Sequence, residues 1–179
     1  CGITAVILSE FDRCMETAQK NPHHKYNVGE HTIVSIGNAR PDRILRYTML
    51  MHDMGKPSCK TTDEHGIDHF YGHQEVSAQM ANDILRRLKS DNETRRSVSK
   101  LVRYHDLTCG LTGKSVRKAI SLIGEDLFPL YLEVKDADTR AQSDFRFQEK
   151  MDYLEEVRHL YRKILEEGDC LSLKDLAVN

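Results

Sequence analysis

Apolar residues recur at spacings of three and four along almost the whole chain, and no sustained alternation of apolar and polar positions marks a sheet. The pattern predicts an all-α fold with helices over residues 3–20, 28–39, 42–54, 73–89, 93–105, 114–123, 125–141 and 147–167. Local chemistry supports these limits. Asn27 and Glu30 have the spacing of a capping box, and Asp42 after Pro41 suits an N-cap. Gly55 and Pro57 read as a left-handed end and a stop for the third helix. Residues 57–71 lack a period and read as a long loop, a class of segment that often carries function.

Three predicted apolar stripes end in a side chain able to ligate a metal. Leu45, Met49 and His52 fall at i, i+4 and i+7, with Asp53 next; Val98, Leu101, Val102 and His105 form a second stripe; Leu127, Leu130, Tyr131 and Val134 lead to Asp138. A lone core histidine is ordinarily a satisfied packing residue, and a lone aspartate a cap or half of an ion pair. Convergence is harder to explain that way, since a buried titratable group needs a partner and a cation is one. His31 and His73, each near a predicted helix start, add two further donors. His23, His24, His65, His69 and His159 lie in polar connections or on a charged helix and carry less weight.

Mixed imidazole and carboxylate donors suit Mn, Fe, Ni, Co or Zn better than calcium, which prefers oxygen alone. Such a site with open positions activates water and polarises a phosphoryl oxygen. Lys56, three residues past Asp53, either holds a phosphate by charge or complements the negative end of its helix.

A chain of 179 residues, 39% hydrophobic and 30% charged, fits one soluble domain. No apolar run reaches the roughly 20 residues of a membrane span. Five scattered cysteines without a CxxC pair read as reduced thiols of a cytoplasmic protein. The start at Cys1 and the apolar-periodic residues Leu173, Leu176 and Val178 before the end lead us to expect a piece of a longer protein. The net charge of −2 is unevenly spread: residues 85–118 hold ten basic and three acidic groups, whereas residues 125–175 hold fourteen acidic and eight basic. Arg86, Arg87, Arg95, Arg96, Lys100 and Arg103 are therefore candidates for nucleic-acid contact, against the plainer reading of a solvated helix face.

His31, the string Met51-His52-Asp53-Met54-Gly55-Lys56-Pro57 and Ala137-Asp138 resemble the H…HD…D signature of the HD phosphohydrolase superfamily, over roughly residues 28–140. The resemblance implies a helical bundle in which His31, His52, Asp53 and Asp138 bind one divalent ion, with magnesium joining the possible metals, and in which Asp53 and Lys56 are catalytic. It also implies that His73 and His105 stand where a second ion would be held, Asp53 bridging the two. Phe11-Asp12, residues 19–24, His69-Phe70-Tyr71-Gly72-His73 and Leu173-Lys174-Asp175-Leu176 further resemble the HD part of bacterial CCA-adding enzymes, the tRNA nucleotidyltransferases. That family's polymerising head needs a Gly-Ser turn followed by Asp-x-Asp on a strand. This chain has no Gly-Ser, and its single Asp-x-Asp, Asp136-Ala137-Asp138, lies in a helical stripe.

The expectation is a single HD domain over 1–179, with a core at 28–140 and flanking helices at 3–20 and 147–167, hydrolysing phosphoesters or nucleotides inside a tRNA-processing enzyme. The alternative is a non-catalytic tRNA-positioning domain with a structural metal. Oxidative chemistry at a di-iron centre is a third reading that no residue singles out.

Overall fold

The computed structural model describes residues 2–167. It is a helical bundle: α1 (Ile3–Ile7), α2 (Ser9–Met15), α3 (Val28–Asn38), α4 (Arg43–Met51), α5 (Lys56–Cys59), α6 (His73–Arg87), α7 (Asn92–Tyr104), α8 (Gly113–Ile123), α9 (Phe128–Ala141) and α10 (Phe147–Glu166). Its two strands, β1 (Thr61–Thr62) and β2 (Asp68–His69), pair antiparallel, with Thr61 opposite His69 and Thr62 opposite Asp68. No described helix is long and apolar enough to cross a membrane. Cys14, Cys59 and Cys109 carry free thiols, while Cys1, Cys170 and residues 173–178 lie outside the described residues.

Caps act where the sequence places them. Asn27 accepts the Glu30 N–H at 2.8 Å while the Glu30 carboxylate accepts the Asn27 N–H at 3.2 Å, and Asp42 accepts the Leu45 N–H at 3.0 Å. Asp91 and Thr112 cap α7 and α8 in the same way.

Three expectations are revised. The predicted helix over 3–20 breaks at Leu8, whose backbone leaves the helical region (φ −152°, ψ 55°) and buries its side chain beside Cys14 and Val28 while Val6 stays exposed. Helix also ends at Met15, because the segment that follows bonds to the hairpin instead: Asp68 takes the Lys20 N–H at 2.7 Å and Lys60 donates to the Ala18 carbonyl at 2.7 Å. Residues 57–71 are thus a turn of helix and a pinned hairpin rather than an open loop. Gly55 is right-handed (φ −79°), not left-handed; its lack of a side chain matters because a Cβ there would sit 2.6 Å from the His73 carbonyl and 2.8 Å from the Ser77 nitrogen. Glycine at this point lets the turn between α4 and α5 lie directly on α6.

Two larger apolar cores flank the polar centre. One joins α7 to α10 around Phe128, Tyr131 and Ile120; the other joins α2, α3, α4, α6 and α7 around Met51, Ile84 and Leu85. A smaller cluster of Leu45, Met49, Val134 and Ala137 ties α4 to α9. Burying residues of this size contributes roughly 1.5–3 kcal/mol each before entropy is charged, which holds the ends of α4, α7 and α9 close together.

Candidate metal centre

Five helices and one turn deliver the polar cluster. His31 comes from the second turn of α3, His52 closes α4, Asp53 follows it, His73 opens α6, His105 closes α7 and Asp138 lies late in α9. All six are buried, with His52 at 0% exposure and Asp53 at 1%. Burial this deep costs several kcal/mol for any uncompensated charge.

Each imidazole is aimed by its Nδ1. His52 bonds the Met49 carbonyl at 2.7 Å, His73 the Phe70 carbonyl at 2.8 Å, His105 the Val102 carbonyl at 2.7 Å and His31 the Ala141 carbonyl at 3.3 Å. The four Nε2 atoms are left turned inward, the arrangement expected of ligating histidines. They form two pairs: His31 and His52 are 3.3 Å apart at Nε2, as are His73 and His105. Two imidazole lone pairs repel at that distance unless a proton or a cation stands between them.

Asp53 lies between the pairs. Its Oδ2 is 3.3 Å from His52 and 3.7 Å from His31, and its Oδ1 is 3.3 Å from His73 and 3.7 Å from His105. Neither oxygen has a well-formed hydrogen bond among the described residues. Asp138 Oδ1 completes the first half at 2.8 Å from His31 and 3.6 Å from His52. Donors about 2.0–2.2 Å from a transition metal stand about 3.0–3.5 Å from one another, and the contacts here run from 2.8 to 3.7 Å. His31, His52 and Asp53 therefore form one group that could hold a metal, and Asp53, His73 and His105 a second.

Electrostatics agree with the geometry. Burial alone would lower the His52 pKa, but the adjacent Asp53 and Asp138 carboxylates drive it up to about 9. Burial would raise Asp53, yet His52 and Lys56 hold it well below the usual carboxylate range; Asp138 is held down likewise against its own burial by His31 and His52. The cluster thus gathers protons around two carboxylates. A divalent ion competes with those protons for the same lone pairs.

Lys56 is buried, with its ammonium 2.8 Å from Asp53 Oδ2 and 2.7 Å from the Gln19 side-chain oxygen. It also borders a cavity of about 630 Å³ that opens from the cluster past His23, His24, Tyr71 and Lys150. The stripe of basic residues lies elsewhere. Arg86 pairs with Asp83, Arg87 with Glu10 and Arg103 with Glu75, and none of these three, nor Arg95, Arg96 or Lys100, borders that cavity.

Two nearby residues, Asp106 and Gln142, escape the sequence reading, and a third, His24, carries more weight than that reading gives it. Asp106 lies 3.4 Å from His73 and 3.7 Å from His105, mirroring Asp138 in the other half. The signal was there, since Asp106 follows His105 as Asp53 follows His52. Gln142 donates to Asp138 Oδ2 at 3.0 Å. His24, in a polar connection, sets its ring edge on His31 with centroids 5.3 Å apart; burial, then Lys56, lowers its pKa to about 3.

Comparison with known proteins places this geometry in context. Residues 32–143 match the family described as HD domain, a span that holds His52, Asp53, His73, His105 and Asp138 and starts one residue after His31. The multifunctional CCA protein of Azoarcus sp. (strain BH72) is 32% identical over 111 residues, 60% of this chain and 26% of that protein. The A-adding tRNA nucleotidyltransferase of Deinococcus radiodurans is 30% identical over 146 residues, 78% of this chain and 33% of that protein. The chain therefore spans about a quarter to a third of the length of the curated relatives it matches. With most of its length matched and both histidine pairs drawn around one aspartate, the chain belongs to the HD domain family.

Proposed function

We propose that this chain is the metal-dependent phosphohydrolase domain of a tRNA nucleotidyltransferase, a single HD unit within a longer protein, acting on phosphoesters of nucleotide type. One observation carries the reading: Asp53, buried and paired with Lys56 through Oδ2, faces an inward-turned histidine pair with each of its oxygens. A structural zinc site closes its coordination with four protein ligands. Here the group of Asp53, His73 and His105 offers three protein donors and borders an open cavity of about 630 Å³, large enough for a nucleotide.

His31, His52, Asp53 and Asp138 would hold one ion, and His73 and His105 with Asp53 a second, drawn from Mn, Fe, Ni, Co, Zn or Mg. When bound, such an ion lowers the pKa of water and polarises a phosphoryl oxygen. The chain supplies the rest. Asp53 and Asp138 provide the negative charge that holds the ions. The carbonyls of Met49, Phe70 and Val102 fix the ring tautomers at 2.7–2.8 Å. Lys56, beside Asp53 at the cavity wall, offsets charge on a bound phosphate.

The test combines elemental analysis of the purified chain with a metal-supplemented panel of 2′,3′-cyclic phosphates, 2′-phosphates and nucleotide monoesters. Asp53→Asn should lose metal and turnover together while keeping its helical content. Wild-type protein that holds metal, hydrolyses nothing and binds tRNA would instead establish the positioning role. Turnover surviving in the metal-depleted variant would overturn the hydrolytic mechanism.

A further inference from the structure

A second cleft adjoins the metal-facing cavity, of about 400 Å³ and lined by Lys135, Lys150, Arg146, His23, Thr108 and Tyr153 among others. Its wall of His23, Gln142 and Lys150 is shared with the larger cavity. Gln142 stands at the junction: its amide nitrogen bonds Asp138 and its oxygen takes the Lys150 ammonium at 2.7 Å.

The cations of this cleft are unusual in their partners. Arg146 is neutralised by Glu149, 2.6 Å away. Lys150 is half-buried with only the neutral Gln142 oxygen as a bonded partner, and half-buried Lys135 has no hydrogen bond or ion pair among the described residues. Long cationic side chains that lose hydration are normally paired. The nearest carboxylates on the metal side, Asp106 and Asp138, are committed to histidines. Burial first, and then repulsion from Arg146 and Lys135 against the pull of Asp138, holds Lys150 below the ordinary lysine value. Glu149 is the one carboxylate lining the cleft and is taken by Arg146, so the two lysines that share the cleft make a phosphate-binding arrangement.

We propose that Lys135 and Lys150 form a subsite for a second phosphate, so that the centre selects nucleotide ends carrying two phosphates over simple monoesters. This rests on the phosphohydrolase reading for the first phosphate, which lies at the Asp53 cluster. Lys150 and His23, common to both cavities, lie along the path between the two phosphates.

The test is equilibrium binding in chelator, where nothing turns over, using adenosine 3′,5′-bisphosphate and adenosine 3′-monophosphate as probes of the whole chain. The bisphosphate should bind about tenfold more tightly, the value of one charge-assisted contact, and its advantage should shrink as salt is raised. Lys135→Gln and Lys150→Gln should each bring the ratio close to one, while Lys135→Arg keeps it. Arg95→Gln, outside both cavities, should leave it unchanged. Equal binding of the two probes by wild-type protein, or an undiminished ratio in Lys135→Gln, overturns the subsite. Absence of hydrolysis with any metal would sink the phosphohydrolase reading but leave this ratio intact, so the two failures are distinguishable.

Discussion

His31 and His52, from different helices and 21 positions apart, bring their Nε2 atoms to 3.3 Å of each other. That contact is tolerable only with positive charge between the rings, and the same spacing recurs between His73 and His105. Wild-type chain should therefore take up two divalent ions per molecule. His73→Ala should retain one, and Asp53→Asn, which weakens both halves, should lower affinity by at least about tenfold. Titration with elemental analysis measures this; two ions retained by Asp53→Asn would refute the bridging role.

Gln142 is predicted to act through Asp138 rather than on substrate. Gln142→Ala removes the donor to Asp138 Oδ2 and should weaken metal binding by about tenfold with little change in thermal midpoint. Unchanged metal affinity in calorimetry would show that Asp138 is held by His31 alone.

Gly55→Ala should destabilise the fold by about 1–3 kcal/mol through overpacking. The added methyl would meet backbone at the His73 carbonyl, 2.6 Å away, and at Ser77 nitrogen, 2.8 Å away, neither of which rotates aside. Urea denaturation of the metal-free protein reads the effect. A wild-type midpoint would mean that α6 shifts at no cost.

Asp68 sets an acid limit on the hairpin. Burial alone would raise its pKa, but the Lys60 ammonium, the Lys20 N–H and the Thr62 hydroxyl bring it to about 2. The folded value lies below the unfolded value of about 3.9, so the stabilisation is fully present above that value and is lost as pH falls toward 2. The stability difference between wild type and Asp68→Asn should shrink over that window. A constant difference from pH 5 to about 2 would contradict the assignment.

Much of the centre was legible because it sits at the ends of apolar stripes, where periodicity marks His52, His105 and Asp138 as inward-facing. The Asn27 and Asp42 caps were legible for a related reason, as short-range chemistry written in adjacent residues. What stayed hidden depends on distant partners. Leu8 breaks its helix to reach Cys14 and Val28, and Lys20 abandons helix to bond Asp68. Counting charge along the chain pointed to residues 85–118, whereas Lys135 and Lys150, which border the clefts, belong to a stretch of net negative sequence. Their acidic neighbours Asp136 and Glu149 are occupied by Arg140 and Arg146.

The bond from the His52 ring to the Met49 carbonyl has an exact local counterpart between His105 and Val102, in each case three residues back on the same helix. The bearing of each ring is thus inherited from its covalent neighbours and owes nothing to the opposite wall. Homologous bundles can lengthen a loop or exchange apolar side chains, sliding α4 and α7 by fractions of an ångström, and the imidazoles will still point the same way. Such a centre is tunable in reach while remaining fixed in aim, which leaves the surrounding scaffold free to diverge.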